Sequence, residues 1–386
     1  MKYIKLNLIF GLLFSWMISL AQEEPTIATR HHSEFQTPNF LPQSVAYDQL
    51  GRPYLYVASK AGGLNIFDVS DLNNMELQGR FAINNFLKLQ VMDVVQDGNF
   101  LYLALGNIFG GKQTPGLGII DVTDPQKPTV VSVWVHDRRA RGAAMVRIQG
   151  DYAYLGAMSE GVLILNIKDK RKVALVSKYV PDIHFPKKDP NRMQRPQARG
   201  MAFKGNHLFL CYDTGGLRVI DISTPSQPKE VGRYLNTTKN IRRQLAYHTL
   251  VLNDSLAYVG ADHCGMEVLN ISDPQNIRQV GWWNPWNCHS PANDWTNSHG
   301  HINQTHFDAE RNLVFMSAGD SELQIVDVAN PMEPKTAGTF GFPTDNLGAW
   351  GLTVHEHYVF LTYIKNLNVP FNGVWSGIKV VEWSPK

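Results

Sequence analysis

The chain has 386 residues, 44% hydrophobic and 11% aromatic, with 18% charged. A chain of this size and apolar content buries a large core and is not disordered over its body. Its formal charge is only +2, which excludes a general nucleic-acid binder.

The first 21 residues read as a secretory signal. Lys2 and Lys5 precede an apolar run from Ile9 to Leu20, and Ser19-Leu-Ala21 supplies the small residues of a cleavage site. The run is too short to span a bilayer comfortably, and no transmembrane anchor is expected elsewhere. Its loss takes two lysines from 36 basic residues and leaves 34, against 34 acids. Export makes a periplasmic, cell-surface or extracellular location the expectation. In such an oxidising compartment Cys211, Cys264 and Cys288 allow one disulfide and one free thiol.

From residue 43 onward one unit recurs seven times at intervals of about 50 residues. Each copy has an apolar-aromatic strand, such as Tyr54-Leu-Tyr-Val-Ala-Ser59 or Tyr358-Val-Phe-Leu-Thr-Tyr363. A glycine-led strand follows, such as Gly63-Leu-Asn-Ile-Phe-Asp-Val69 or Gly216-Leu-Arg-Val-Ile-Asp-Ile222. Four short strands per copy predict an all-β, seven-bladed β-propeller of four-stranded antiparallel blades. An acid or amide ends the motif strand at Asp68, Asp121, Asn166, Asp221, Asn270, Asp327 and Glu382. Asp and Asn there can accept backbone N–H bonds of the following corner, so the residue is read as scaffold and not as chemistry.

The seventh copy stops at Trp383-Ser-Pro-Lys386 without a fourth strand. An open edge invites association. Residues 22–42, with Thr26-Ile-Ala-Thr-Arg30 at their centre, are expected to close the last blade around the propeller of 43–386.

Leu217-Arg-Val-Ile-Asp221 and Leu323-Gln-Ile-Val-Asp327 resemble the LVIVD repeat family, and the resemblance covers about 43–386. Copies three, five and seven depart from its acid with Asn166, Asn270 and Glu382. The resemblance implies a secreted or surface propeller and brings no catalytic motif.

The short loops, such as Gln149-Gly-Asp151, and the Asp-Pro corners share one face of such a fold. The long segments Asn107–Pro115, Pro181–Arg199, Asn236–Ala246, Asn284–Ile302 and Ile364–Ser376 fall on the other. Insertions gathered on one face of a rigid scaffold are where binding resides. Three successive crossings on that face are basic and contain Arg139 and Arg141, Arg195 and Arg199, and Arg242 and Arg243. Guanidinium forks in an arc suit carboxylate, sulfate or phosphate groups. Arg141-Gly142 and Arg199-Gly200 look like equivalent entries to inner strands.

Six of the 13 histidines lie between 248 and 306. His248, His299, His301 and His306 are candidate ligands for Cu or Zn, since neutral imidazole suits both. No HExxH, CxxC, P-loop or nucleophile elbow accompanies them. Cys264 and Cys288 are the disulfide candidates, with metal ligation beside His263 or His289 as the alternative, and Cys211 reads as a buried small hydrophobe. Trp282, Trp283, Trp286 and Trp295 divide between core and loop anchor.

The reading is therefore a non-catalytic module that binds a protein or an anionic ligand or glycan through its loop-rich face and channel mouth. No cofactor is expected on that reading. A Cu- or Zn-dependent enzyme using the mouth histidines is one alternative, and a structural cell-surface protein is another.

Overall fold

The computed structural model describes residues 24–37, 40–107, 113–139, 141–185, 195–236, 245–290, 292–365 and 373–386. They form seven four-stranded antiparallel sheets in a ring, a seven-bladed β-propeller. Blades 1 to 6 span residues 44–81, 91–135, 145–179, 201–234, 249–283 and 304–340, each read from inner strand to outer strand. Blade 7 takes its three inner strands from Ala349–His355, Tyr358–Tyr363 and Gly377–Pro385, and its outer strand from Ile27–Gln36. The sequence-predicted closure is thus formed: Ile27 pairs with Pro385 and Gln36 with Gly377. The proposed signal segment lies outside the described residues. Among the described residues no helix is long and apolar enough to cross a membrane.

The second strands match the predicted apolar-aromatic runs to within a residue at each end, and they are buried almost throughout. They fill the sheet between neighbours, so every side chain meets another blade. The core is accordingly distributed between blades: Tyr56, Ile66, Phe86, Val94 and Leu103 pack together at the first interface, and Phe209, Val219, Leu250 and Val259 at the fourth.

The motif strand is explained by its two ends. At its start, Gly63, Gly161, Gly216 and Gly265 have φ of +75 to +81°, and a Cβ there would meet the outer strand's carbonyl oxygen at 1.9–2.2 Å. At its end, the acid or amide closes the corner. Asp68, Asp121, Asn166, Asp221, Asn270 and Asp327 each accept from the backbone N–H two residues on, at 2.8–3.0 Å. Glu382 has no such corner and pairs with Arg30 instead. The outer-strand pairing carries a register shift in all seven blades. Such bulges twist exposed edges away from partners.

The inner strands are stapled to one another by side chains. Ser44 Oγ donates to Asp93 Oδ1 at 2.6 Å, and Asp93 Oδ2 accepts from Val146 N–H at 3.1 Å, tying blades 1, 2 and 3. Thr249 and Thr305 hydroxyls lie 3.0 Å apart between blades 5 and 6. These contacts fix the bore of the channel.

Candidate functional site: the loop-rich mouth

The turn joining second and third strands uses one backbone device in most blades. Its second residue is left-handed: Lys60, Met158, Asp213, Asp262 and Gly319 have φ between +48 and +58°. Four of these positions bridge to the residue entering the next inner strand: Lys60 to Val91, Met158 to Ala198, Asp213 to Tyr247 and Gly319 to Ala349. In blade 5 the Asp262 carbonyl accepts from Ile302 N–H at 3.4 Å. These five blades therefore present this residue at the end of the channel. Asp tolerates the left-handed region better than most side chains, and in the neighbouring blades 4 and 5 the residue is an acid.

The inner strands present a matching ring. Gln43, Ala144, Arg199, His248 and Asn303 each donate their N–H to a carbonyl that ends the second strand of the same blade, at 2.7–3.1 Å. Arg199 therefore corresponds to Ala144, not to Arg141. Arg141 lies three residues earlier, bridges to Gln113 and is exposed. The Arg-Gly repetition in the sequence is not a structural equivalence.

A chain of charge results. Arg199 Nε is 3.7 Å from Asp213 Oδ2, and His248 Nε2 is 3.8 Å from Asp213 Oδ1. On its other side His248 Nδ1 is 4.0 Å from Asp262 Oδ1, which His301 Nδ1 meets at 2.9 Å. Asp213, Asp262, His263 and His301 are at most 1% exposed. Burial works against ionising Asp262, but His248 and His301 outweigh it and hold its carboxyl well below the usual carboxylate range. Burial pushes His248 down, and Asp262 opposes it. Nearby Asp320 is pushed up to about 6 by burial, with His301 and His299 opposing.

Of the four candidate histidines, the structure brings two together. His299 is exposed, its carbonyl held by Ser321 Oγ at 2.6 Å. His306 lies farther down the channel wall against Phe315. Among the described residues no three His, Cys, Asp or Glu side chains converge closely enough to hold a metal ion. Asp213 and Asp320 escaped the sequence reading. Aligning the copies on the residue after each second strand would have placed acids side by side at 213 and 262.

The segment after blade 5 covers this cluster and is built as a rigid cap. Cys264 and Cys288 are disulfide-bonded with their Cα atoms 4.8 Å apart. Trp282 Nε1 donates to the Cys264 carbonyl at 2.8 Å. Asn293 Nδ2 spans the carbonyls of His263 and Trp286, at 3.2 and 2.8 Å. Gly300 is required, since a Cβ there would stand 2.2 Å from the Trp286 ring. Trp295, by contrast, faces outward and is 42% exposed. Cys211 is buried and unpaired, and burial raises its thiol well above the usual range.

The arginines of the scaffold are mixed: Arg171 and Arg278 are exposed and make no ion pair with a described residue. Arg52, Arg147, Arg218 and Arg311, on the scaffold, are each ion-paired. Arg138, Arg139, Arg141 and Arg195, on consecutive crossings of the loop-rich face, are exposed and make no ion pair with a described residue. Arg242 and Arg243 lie outside the described residues. Large apolar side chains also stand out on this face: Phe342 is 68% exposed, Leu87 62% and Val374 55%.

The LVIVD repeat family model matches residues 53–82, 90–134, 140–180, 197–236 and 312–341. The matches fall on blades 1 to 4 and 6; blade 3 is included despite Asn166. A chain of the mitotic checkpoint complex superimposes with a TM-score of 0.62 at 12% identity, over 97% of this chain and 99% of that one. The computationally designed Ika8 protein does so at 0.53 and 12% identity, over 91% and 99%. At that identity both show the propeller fold alone. No curated protein matches the chain.

Proposed function

From the premise that the chain is an LVIVD-repeat β-propeller, we propose that it is an exported, non-catalytic binding module that captures an anionic partner on its loop-rich face. The observation that carries this reading is the gathering of Arg138, Arg139, Arg141 and Arg195, all exposed and without an ion pair to a described residue, on two adjacent crossings of one face. An unpaired cluster on one face of a nearly neutral protein attracts anions, and guanidinium forks dock sulfate and carboxylate in two-point contacts. The exposed Trp295 and Phe342 add apolar contact farther round the same face.

The test is retention on immobilised dextran sulfate across a salt gradient. The wild-type protein should be retained at low salt and released as salt rises, because exposed charges are screened. The triple variant Arg139→Glu, Arg141→Glu, Arg195→Glu should pass through. Equal retention of the two proteins, or none for either, would overturn the reading.

A further inference from the structure

The channel offers a site on the opposite side of the molecule, independent of the loop-rich face. The seven inner strands enclose a cavity of about 790 Å³, within the range of small-molecule pockets. Its lining runs from Ser44, Asp93 and Thr249 to the exposed corner residues Gln49 and Gly51, so it opens on the short-loop face. Its wall is mixed: Val251, Leu252 and Val354 stand among Gln96, Gln304, Thr305 and Thr353.

The two acids of the wall are already committed. Asp93 accepts from Ser44 Oγ at 2.6 Å, Val146 N–H at 3.1 Å and Arg147 Nη1 at 3.0 Å. Asp48 accepts from Arg52 at 2.6 and 3.0 Å, Tyr56 Oη at 2.5 Å and Leu50 N–H at 2.8 Å.

Arg147 is different. Its side chain lines the cavity and stays 32% exposed. Nη1 is spent on Asp93 and on the Val146 carbonyl at 2.7 Å. Nε and Nη2 make no hydrogen bond with a described residue. Those two parallel donors are the edge that grips a carboxylate bidentately. Asp93 holds the guanidinium from the other edge, so part of the ordering cost is met before any ligand arrives.

We propose that the channel binds a small monocarboxylate with a compact apolar body, its carboxylate on the Nε–Nη2 edge of Arg147 and its body against the apolar stretch of Val251, Leu252 and Val354. Asp93 is a positioning residue for that contact. His306, three blades round the ring, lines the same cavity and gives a second polar point opposite Arg147.

Calorimetry with benzoate, hexanoate and the neutral isostere benzamide tests this. Benzoate should bind about tenfold or more tighter than benzamide, since a charge-assisted pair is lost in the amide. Arg147→Met should erase that preference. Thr353→Phe, which narrows the lumen and leaves Arg147 and Asp93 in place, should weaken both ligands. A thermal midpoint for each variant verifies the fold. The Arg139→Glu, Arg141→Glu, Arg195→Glu variant should bind benzoate as the wild type does. Benzoate binding no tighter than benzamide, no binding of either carboxylate, or loss of benzoate in that loop variant would each overturn the assignment.

Discussion

His301 Nδ1 meets Asp262 Oδ1 at 2.9 Å, with both side chains 1–2% exposed. This contact and its neighbour His248 set the acid response of the fold. His248 and His306 have folded pKa values pushed below the ordinary 6.5 by burial. Their contribution is complete above 6.5 and is lost as pH falls from there, because the unfolded chain takes up the proton first. Asp262 is held well below 3.8, so its contribution is lost only as pH drops under about 4. The thermal midpoint should therefore fall in two stages between pH 8 and pH 3. His248→Gln should reduce the first stage and Asp262→Asn the second. A His248→Gln variant whose midpoint changes between pH 7 and pH 5 as the wild type's does would sink the account of the histidines.

Asp320 works in the opposite direction. Burial raises its carboxyl to about 6 from an unfolded value of 3.8. The folded state holds that proton more tightly, so ionising Asp320 costs stability as pH rises through this window. Asp320→Asn should raise the midpoint at pH 7, and the benefit should vanish near pH 4. A variant less stable than wild type at pH 7 would show that the ionised carboxylate has a favourable partner.

Blade 6 replaces the motif glycine with Glu322, and the replacement is matched elsewhere. Glu322 has φ +43° and is fully buried. Its Oε2 accepts from Tyr363 Oη at 2.5 Å and from Lys379 Nζ at 3.4 Å. The space it occupies lies over Gly341, where a Cβ would stand 2.1 Å from Glu322 Oε1. Gly341→Ala should cost about 2 kcal/mol or more, from the clash and from φ +83°. Adding Glu322→Gly removes the clash, so the double variant should be more stable than the sum of the singles by about 1 kcal/mol. Additive chemical-denaturation energies would refute the coupling.

The parts of the fold legible in the sequence are those that repeat. The motif glycine and the Asx corner recur because one backbone geometry recurs, and local hydrogen bonds enforce it. The missing strand of blade 7 was legible for the same reason, since a ring that repeats cannot end on three strands. The mouth was harder. Asp213 and Asp262 are single residues in a shared turn, and neither stands in the motif. Their partners His248 and His301 come from other strands and crossings, which no sequence spacing brings together. Within the channel, which the sequence placed only at its mouth and at His306, Arg147 was missed: it is an ordinary strand residue until Asp93, 54 residues earlier, turns its guanidinium edge.

The last prediction concerns how the ring is closed. Ile27–Gln36 joins the two ends of the chain through both backbone pairing and burial. Ile27 is 7% exposed and packs in the cluster of Phe315, Ile325 and Trp383, against Gly338 of the neighbouring blade. Arg30 pairs with Glu382 at 2.6 Å, but its side chain is 74% exposed. If burial closes the ring, Ile27→Ala should cost about 2–5 kcal/mol. Arg30→Ala should cost less than about 1 kcal/mol, the worth of an exposed ion pair. Removing residues 24–36 should do more than lower stability. It bares the whole edge of Gly377–Pro385 together with Trp383, and an unpaired edge recruits other chains. Size-exclusion chromatography should then show dimers or larger species at concentrations where the intact chain is monomeric. A truncated chain with an unchanged midpoint and elution volume would mean that the N-terminal strand covers the last blade without holding it.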